Sequence, residues 1–481
     1  MSERSTASHD PDRPAALLEY VTRDWAPRVP AIPAPHPSVE SRLRRRAAVA
    51  ARFPGEWLVL PSGQPKVRAN DTFYRFRPST EFAWLVGSTV PGSVLVVDPA
   101  GAWVLYQQPS ADRSTTEFFT DRVSGELWIG PRPDLAATGA LHGIETRPLE
   151  ELAKALEGIG AVRLLRGHDA VVDAMVGALV GGETDADGDR ALVAGLDELR
   201  LVKDEYEIEQ LQQAVNATLR GFADVVRALP DAQRATERWA EGVFGLRARV
   251  EGNDVGYNSI CAAGTHACIL HWTDNDGPVR DGDLILLDMG VEGNELYTAD
   301  VTRTLPVNGR FTDTQREVYT LVYQAQEAAL AAVRPGADFF APHRAAMRVL
   351  AHGLERLGVL PDAEAALAED QQLYRRYTLH GTSHMLGIDV HDCAAARNEL
   401  YRHGPLRPGY VLTIEPGLYF QPDDLTVPVE LRGIGVRIED DVVVTEDGCR
   451  NLSAALPREP AEVEAWMAAV VGSAGPDRRE D

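Results

Sequence analysis

The sequence predicts a mixed α/β protein built from two or three domains, and three observations predict it. At 481 residues the chain exceeds what one ordinary domain takes. Its first half alternates short β-rich runs, punctuated by Gly and Pro, with helical stretches. Its second half sets long amphipathic helices beside apolar runs that end in carboxylates. Apolar residues make up 44% of the chain, enough for a substantial core.

Taken in order, residues 1–37 are rich in Pro, Ala and charge, as in APRVPAIPAPHP, and read as a flexible arm with little regular structure. SVESRLRRRAAVAARF reads as a helix opened by a Ser cap. WLVLPSG, EFAWLVGS, GSVLVVDP and AWVLYQQP are expected strands, and LEELAKALEGI a helix. Together these make a domain over 38–190. The Gly/Asp-rich stretch VGALVGGETDADGDRALVAG, 176–195, is the expected link. After it, DELRLVKDEYEIEQLQQAVNATLRGFADVVRAL spaces Ile208, Leu211, Val215, Leu219, Phe222 and Val226 by three and four, which predicts one long helix with a single buried stripe. Further helices are expected in TERWAEGVFGLRARV, TDTQREVYTLVYQAQEAALAAV and PHRAAMRVLAHGLERLG. Strands are expected in NSICAAG, DLILLDMG, YVLTIEPG and VRIEDDVVV. The second domain, 195–470, is thus a sheet with helices packed on it.

Charge excludes some functions. The 72 acidic and 48 basic side chains give a formal net charge of −24, which argues against non-specific binding to nucleic acid or to an anionic membrane. No apolar run approaches a bilayer span. The opening MSERSTASHDPDRP lacks the apolar core of a signal peptide. Cys261, Cys268, Cys393 and Cys449 are irregularly spaced, so reduced thiols in a cytoplasm are expected rather than a zinc ribbon or a disulfide framework.

The late strands carry unusual cargo. DLILLDMG stops at Asp288, and Asp300 follows twelve positions on, in YTADVTRT. VLTIEPGLYF carries Glu415 after an apolar run, and GVRIEDDVVV carries Glu439 inside a strand pattern. Each has a plainer reading taken alone: a turn former, a residue facing solvent before Pro416, a partner of Arg437. A carboxylate within or closing a buried strand is nonetheless unfavourable unless something pairs with it. Two Asp, two Glu and one His make a ligand set for two hard divalent cations sharing carboxylates. Mostly oxygen donors with one imidazole favour Mn, Co, Fe or Zn over Ca or Mg. The His donor is expected in LHGTSHMLGIDVHD, which packs His380, His384 and His391 together in a chain with only 12 histidines.

The ordered set ILHWTDND, LLDMG…YTADVTRT, HGTSHMLGIDVHD, TIEPGLYF and GVRIEDDVVV closely resembles the aminopeptidase P branch of the pita-bread dinuclear metallopeptidases, over roughly residues 200–460. RANDTFYRFRPSTEFAWLVG resembles the amino-terminal domain of that family. The resemblance implies a pita-bread catalytic domain, a curved antiparallel sheet covered by helices, behind a smaller creatinase-like mixed α/β domain. It implies Asp288, Asp300, His384, Glu415 and Glu439 as ligands of two divalent ions, most simply Mn(II). Asp300 and Glu439 would bridge both ions, Asp288 would hold one, and His384 with Glu415 the other. Glu415 would also carry the proton. His271 and His391 match family histidines at the scissile carbonyl and the imide nitrogen, and His380 one near the downstream side of the substrate. Arg437 would anchor a ligand carboxylate or Tyr419, or else make a plain surface ion pair. Arg402 aligns with an arginine near the downstream subsites. Asp71 and Trp128 resemble first-domain residues that reach an active site.

The function implied is a cytoplasmic aminopeptidase that releases the first residue from peptides with proline second, acting as a homodimer or homotetramer. Prolidase, which cleaves only dipeptides, shares the same five ligands and is the enzyme rival; phosphotriester hydrolysis is a possible side activity of such a site. A metal-free binding module of the same fold is the rival of another class, and the presence of all five ligand residues argues against it.

Overall fold

Valine-rich runs build the first sheet because branched side chains suit a pleated, buried surface. The computed structural model describes residues 13–26, 31–70, 72–180 and 185–472. The chain divides into two compact units, 1–199 and 200–481.

In the first unit, Val94–Val97 lies antiparallel between Trp57–Pro61 and Trp103–Gln107. Two parallel strands, Val162–Leu164 and Glu145–Pro148, flank this trio. Val59, Val94, Val96 and Leu164 sit in a core closed by Leu152, Leu156, Val172 and Val176. The helix expected at SVESRLRRRAAVAARF spans Val39–Arg52. Ser38 stands at its N-cap, but its hydroxyl meets His36 Nδ1 at 2.7 Å instead of capping the helix.

One expectation fails here. The run EFAWLVGS is no strand: Thr80–Leu85 is a helix with every residue buried. A short, wholly buried apolar run has the same hydrophobicity pattern in either form. What decides is the helix end, where Arg45 donates to the Trp84 carbonyl at 3.1 Å and Arg46 to the Leu85 carbonyl at 3.0 Å. Those carbonyls would otherwise be orphaned. The arm also carries a helix, Ala15–Val21, which buries none of its residues.

Around the expected link, helices run over Ala170–Leu179 and Ala186–Arg200; residues 181–184 lie outside the described ones. The single long helix is interrupted at 201–203 and resumes over Glu205–Ala232, where Asp204 and Glu207 form a reciprocal capping box. The break lets Lys203 turn inward to Asp392 at 2.9 Å, beside an Arg200–Asp392 contact. Burial works to raise Asp392, yet these two cations hold it down at about 2.

The second unit is antiparallel in every described strand pairing. Leu284–Met289 pairs with both Ile260–Ala263 and Val301–Pro306. Asp440–Val444 pairs with Val411–Ile414 and Cys449–Asn451. Gly417–Tyr419 pairs with Gly435–Arg437. The run VRIEDDVVV is therefore two strands, with Glu439 in the gap between them. A backbone bridge, Thr302 to Glu439, ties the sheet of Leu284–Met289 to that of Asp440–Val444. The helices Glu205–Ala232, Glu237–Glu251, Asp313–Ala332 and Ala341–Arg356 cover these sheets, and Phe222, Phe244, Val322 and Leu350 join Leu287 and Leu412 in one core. Among the described residues no helix is long and apolar enough to cross a membrane.

Arg303 locks the junction. It is fully buried and donates to the carbonyls of Glu439 at 2.7 Å, Leu456 at 2.9 Å and Pro457 at 2.9 Å, and to Asp440 at 2.7 Å. Replacing it strands a buried charge and several carbonyls at once. We expect Arg303→Met to lower the stability of this unit by about 3–5 kcal/mol, read as a downshifted denaturant midpoint in circular dichroism; an unchanged midpoint would refute the locking role.

Candidate metal centre and active site

Asp288 is the next-to-last residue of its strand and Asp300 immediately precedes the strand that pairs with it. The turn between them needs glycine at 290, because a Cβ there would lie 1.7 Å from the Ala299 carbonyl oxygen. Asp288 accepts from Tyr257 Oη at 2.6 Å and from Arg437 at 2.5 Å. Burial still raises its pKa, against the pull of Arg437. The Asp300 backbone N–H donates to Asp441 at 3.0 Å.

Glu415 follows the Val411–Ile414 strand directly, and its Oε1 lies 3.3 Å from Thr413 Oγ1. Glu439 accepts from Thr302 Oγ1 at 2.6 Å, and its own N–H donates to the Thr302 carbonyl at 3.0 Å. Burial, reinforced by the charges of Asp300, Glu415 and Asp288, pushes Glu439 well above the carboxylate range. Burial likewise lifts Glu415 to about 7, with Asp300 adding to it and His384 opposing it.

His384 faces these acids through one nitrogen. Its Nδ1 lies 3.1 Å from the Met385 carbonyl, which fixes the proton there and turns Nε2 toward Asp300 at 3.3 Å and Glu415 at 3.5 Å. Burial opposes its charge, but the hydrogen bond to Asp300 and the charge of Glu415 lift its pKa to about 9. One ligand atom each from Asp300, His384 and Glu439 lies within 4.8 Å of the others. Asp288 and Glu415 line the same cavity of about 840 Å³. Three of its carboxylates are pushed toward their neutral forms, and the nearest guanidinium is already committed to Asp288 and Tyr419. This donor set fits divalent cations: hard oxygens, one oriented imidazole, and negative charge that the protein itself does not balance.

The same cavity is lined by His271, His380, His391, Arg402 and Arg437 among the other predicted residues. His271, His391 and Arg402 line it from exposed positions. The His391 ring stands edge-on to His384 with centroids 4.4 Å apart. His380 Nε2 lies 2.8 Å from Tyr419 Oη, which accepts from Arg437 at 3.0 Å. Burial and then Arg437 hold His380 down at about 4, a neutral imidazole. Arg437 is no surface ion pair: it is buried and joins Asp288 to Tyr419. Trp128 is half exposed in the first unit, under the Arg122 guanidinium at 4.6 Å; Asp71 lies outside the described residues.

Sequence reasoning missed Tyr257, Thr302 and Asp441. Nothing local marks Tyr257 or Thr302, whose roles arise only from strand pairing. Asp441 sat in plain view in IEDDVVV, one more acid in a strand pattern.

Comparisons with known proteins agree with this geometry. Residues 209–446 match the model of metallopeptidase family M24, and residues 43–164 that of the aminopeptidase P N-terminal domain. Xaa-Pro aminopeptidase 1 of Streptomyces coelicolor is 57% identical over 89% of this chain and 87% of its own length. Xaa-Pro aminopeptidase 2 of the same organism is 50% identical over 98% of this chain and 100% of its own. Among solved structures, proline aminopeptidase P II from Yersinia pestis superposes with a TM-score of 0.78 at 32% identity, over 89% of this chain and 99% of its own. A zinc-substituted Escherichia coli aminopeptidase P in complex with product gives 0.79 at 32% identity, over 90% and 99%. With matching sheets, matching domain models and relatives aligned along nearly their whole length, the chain belongs to metallopeptidase family M24, on its aminopeptidase P branch.

Proposed function

We propose that this metallopeptidase removes the first residue from peptides whose second residue is proline. The observation that carries the reading is the convergence of Asp288, Asp300, His384, Glu415 and Glu439 with His271, His380 and His391 in one cavity. Asp288, Asp300, His384, Glu415 and Glu439 would hold the divalent ions; Mn(II) suits the donors, with Co, Zn and Fe as alternatives. Such ions, when bound, supply an activated water and a counter-charge for the developing oxyanion.

The remaining work falls to side chains. Glu415 takes the proton of the attacking water and returns one to the leaving nitrogen, from its place on the cavity wall beside Thr413. His271 and His391 present N–H groups to the scissile carbonyl and the imide region, where charge develops. A proline bond offers no N–H of its own, so recognition rests on the shape of the ring and on its carbonyl. His380, Tyr419, Arg437 and Arg402 flank the downstream side. The family resemblance supports a homodimer or homotetramer. The thiols Cys261, Cys268, Cys393 and Cys449 suit the cytoplasm, and the net charge of −24 suits a protein that binds neither nucleic acid nor membrane.

Exhaustive chelation should abolish activity and Mn(II) or Co(II) should restore it, with up to two ions per chain by elemental analysis; full turnover by verified metal-free protein would defeat the reading. His384→Ala should lower metal content and activity together. His391→Ala and His271→Ala should keep their metal and lose turnover by roughly a hundredfold; loss of metal from His391→Ala alone would reverse the assignment. Tripeptides and pentapeptides with proline second should release only their first residue by mass spectrometry, and acetylating the amino terminus should stop the reaction. Hydrolysis confined to the dipeptide would make the protein a prolidase.

A further inference from the structure

His271 stands on a segment with little to hold it. Between the 3-10 turn Gly264–Cys268 and the strand Leu284–Met289 there is no helix or strand, so the backbone ladders that fix Asp288, Tyr419 and Arg437 are missing here. A chain without such pairing needs other ties to keep one side chain in place.

Asn275 ties the far end of the segment to Cys261 and Ser259, each at 2.9 Å, and four further ties converge on Glu237. It lies in the first turn of the Glu237–Glu251 helix and is fully buried. Its Oε1 accepts from Ala263 N at 2.7 Å and from His266 Nδ1 at 2.9 Å. Its Oε2 accepts from Trp272 Nε1 at 2.8 Å and from Gly277 N at 2.7 Å. Two donors precede His271 in the chain and two follow it, and Trp272 is its immediate neighbour. The His266 ring packs against Trp272 with centroids 3.9 Å apart. Gly277 must be glycine for the chain to pass so close, since a Cβ would lie 2.3 Å from His266 Cε1 and 2.8 Å from Glu237 Oε2. Glu237 itself does not line the cavity, whereas His271 does.

We infer that Glu237 is a positioning residue of the reaction: its carboxylate gathers four donors on both sides of His271 and thereby sets that imidazole in the cavity. The inference rests on the peptidase reading above. The arrangement has the character of a support that holds a reacting group within a fraction of an ångström of its working place. Glutamine is the sharp probe, because one side-chain oxygen keeps its two donors while the new NH2 group meets two N–H groups head-on.

The test is a double-mutant cycle on the Mn(II)-loaded, full-length enzyme with an Xaa-Pro-Xaa tripeptide. Glu237→Gln should lower kcat by roughly tenfold or more while KM stays within about twofold, the split expected when a transition-state contact is lost. Metal content should match the parent. In the His271→Ala background the same change should lower kcat by less than about twofold, because the group it positions is gone. Trp272→Phe, which removes one donor and leaves the carboxylate, should show the same split and the same dependence on His271 with smaller size, and it serves the cycle if Glu237→Gln fails to fold. Equal losses in both backgrounds, or a parent-like kcat for His271→Ala, would overturn the inference. A parent enzyme that leaves the tripeptide intact would instead count against the peptidase reading.

Discussion

Four carboxylates crowded around one cavity, three of them buried, are the constraint from which the rest of this structure follows. Asp288, Asp300, Glu415 and Glu439 repel one another where little water is present to screen them. The fold answers with strands that place them, hydroxyls that bond to them and one guanidinium that neutralises part of their charge. Tyr257 and Arg437 hold Asp288, Thr302 holds Glu439, and Asp441 accepts from the Asp300 backbone. The remaining excess of negative charge suits the cavity to cations rather than to stabilising the fold.

Such crowding calls for rigidity, and the protein obtains it with buried cations placed away from the carboxylates. Arg303 joins strand ends that lie far apart in sequence, while Arg200 and Lys203 grip Asp392, the neighbour of His391. None of these three lines the cavity, yet each fixes backbone that does. The histidines are held in graded fashion. His384 is oriented by a carbonyl and His380 by Tyr419, whereas His271 and His391 keep their rings exposed to the cavity, where an incoming peptide would meet them.

How much of this was legible in the sequence depends on the kind of signal. Asp288 and Glu415 were readable because an acid that ends a buried apolar run is an anomaly without a partner. The long helices were readable because period and length agree: Leu211, Val215, Phe222 and Val226 all proved buried. Thr80–Leu85 was not, since six buried residues carry no period, and only the arginines at its end favour the helix. The interruption at 201–203 was half-legible: the Asp204/Glu207 capping box marks a helix start in the sequence, whereas Asp392, which draws Lys203 inward, lies nearly two hundred residues away. Glu439 was legible as a ligand candidate but not as the gap between two strands, because that gap is set by its bridge to Thr302.

That bridge has a consequence for the order in which the molecule assembles. The hairpin bearing Asp288 and Asp300 is local and can close early, as short antiparallel pairs do. Joining Thr302 to Glu439 requires closing a loop of more than a hundred residues, an entropic penalty of roughly 4 kcal/mol if that intervening chain is still unfolded. On a ribosome, the second sheet emerges long after the first. The acids therefore meet only when nearly all of this unit is made, and their mutual repulsion is deferred until a packed core already exists to withstand it.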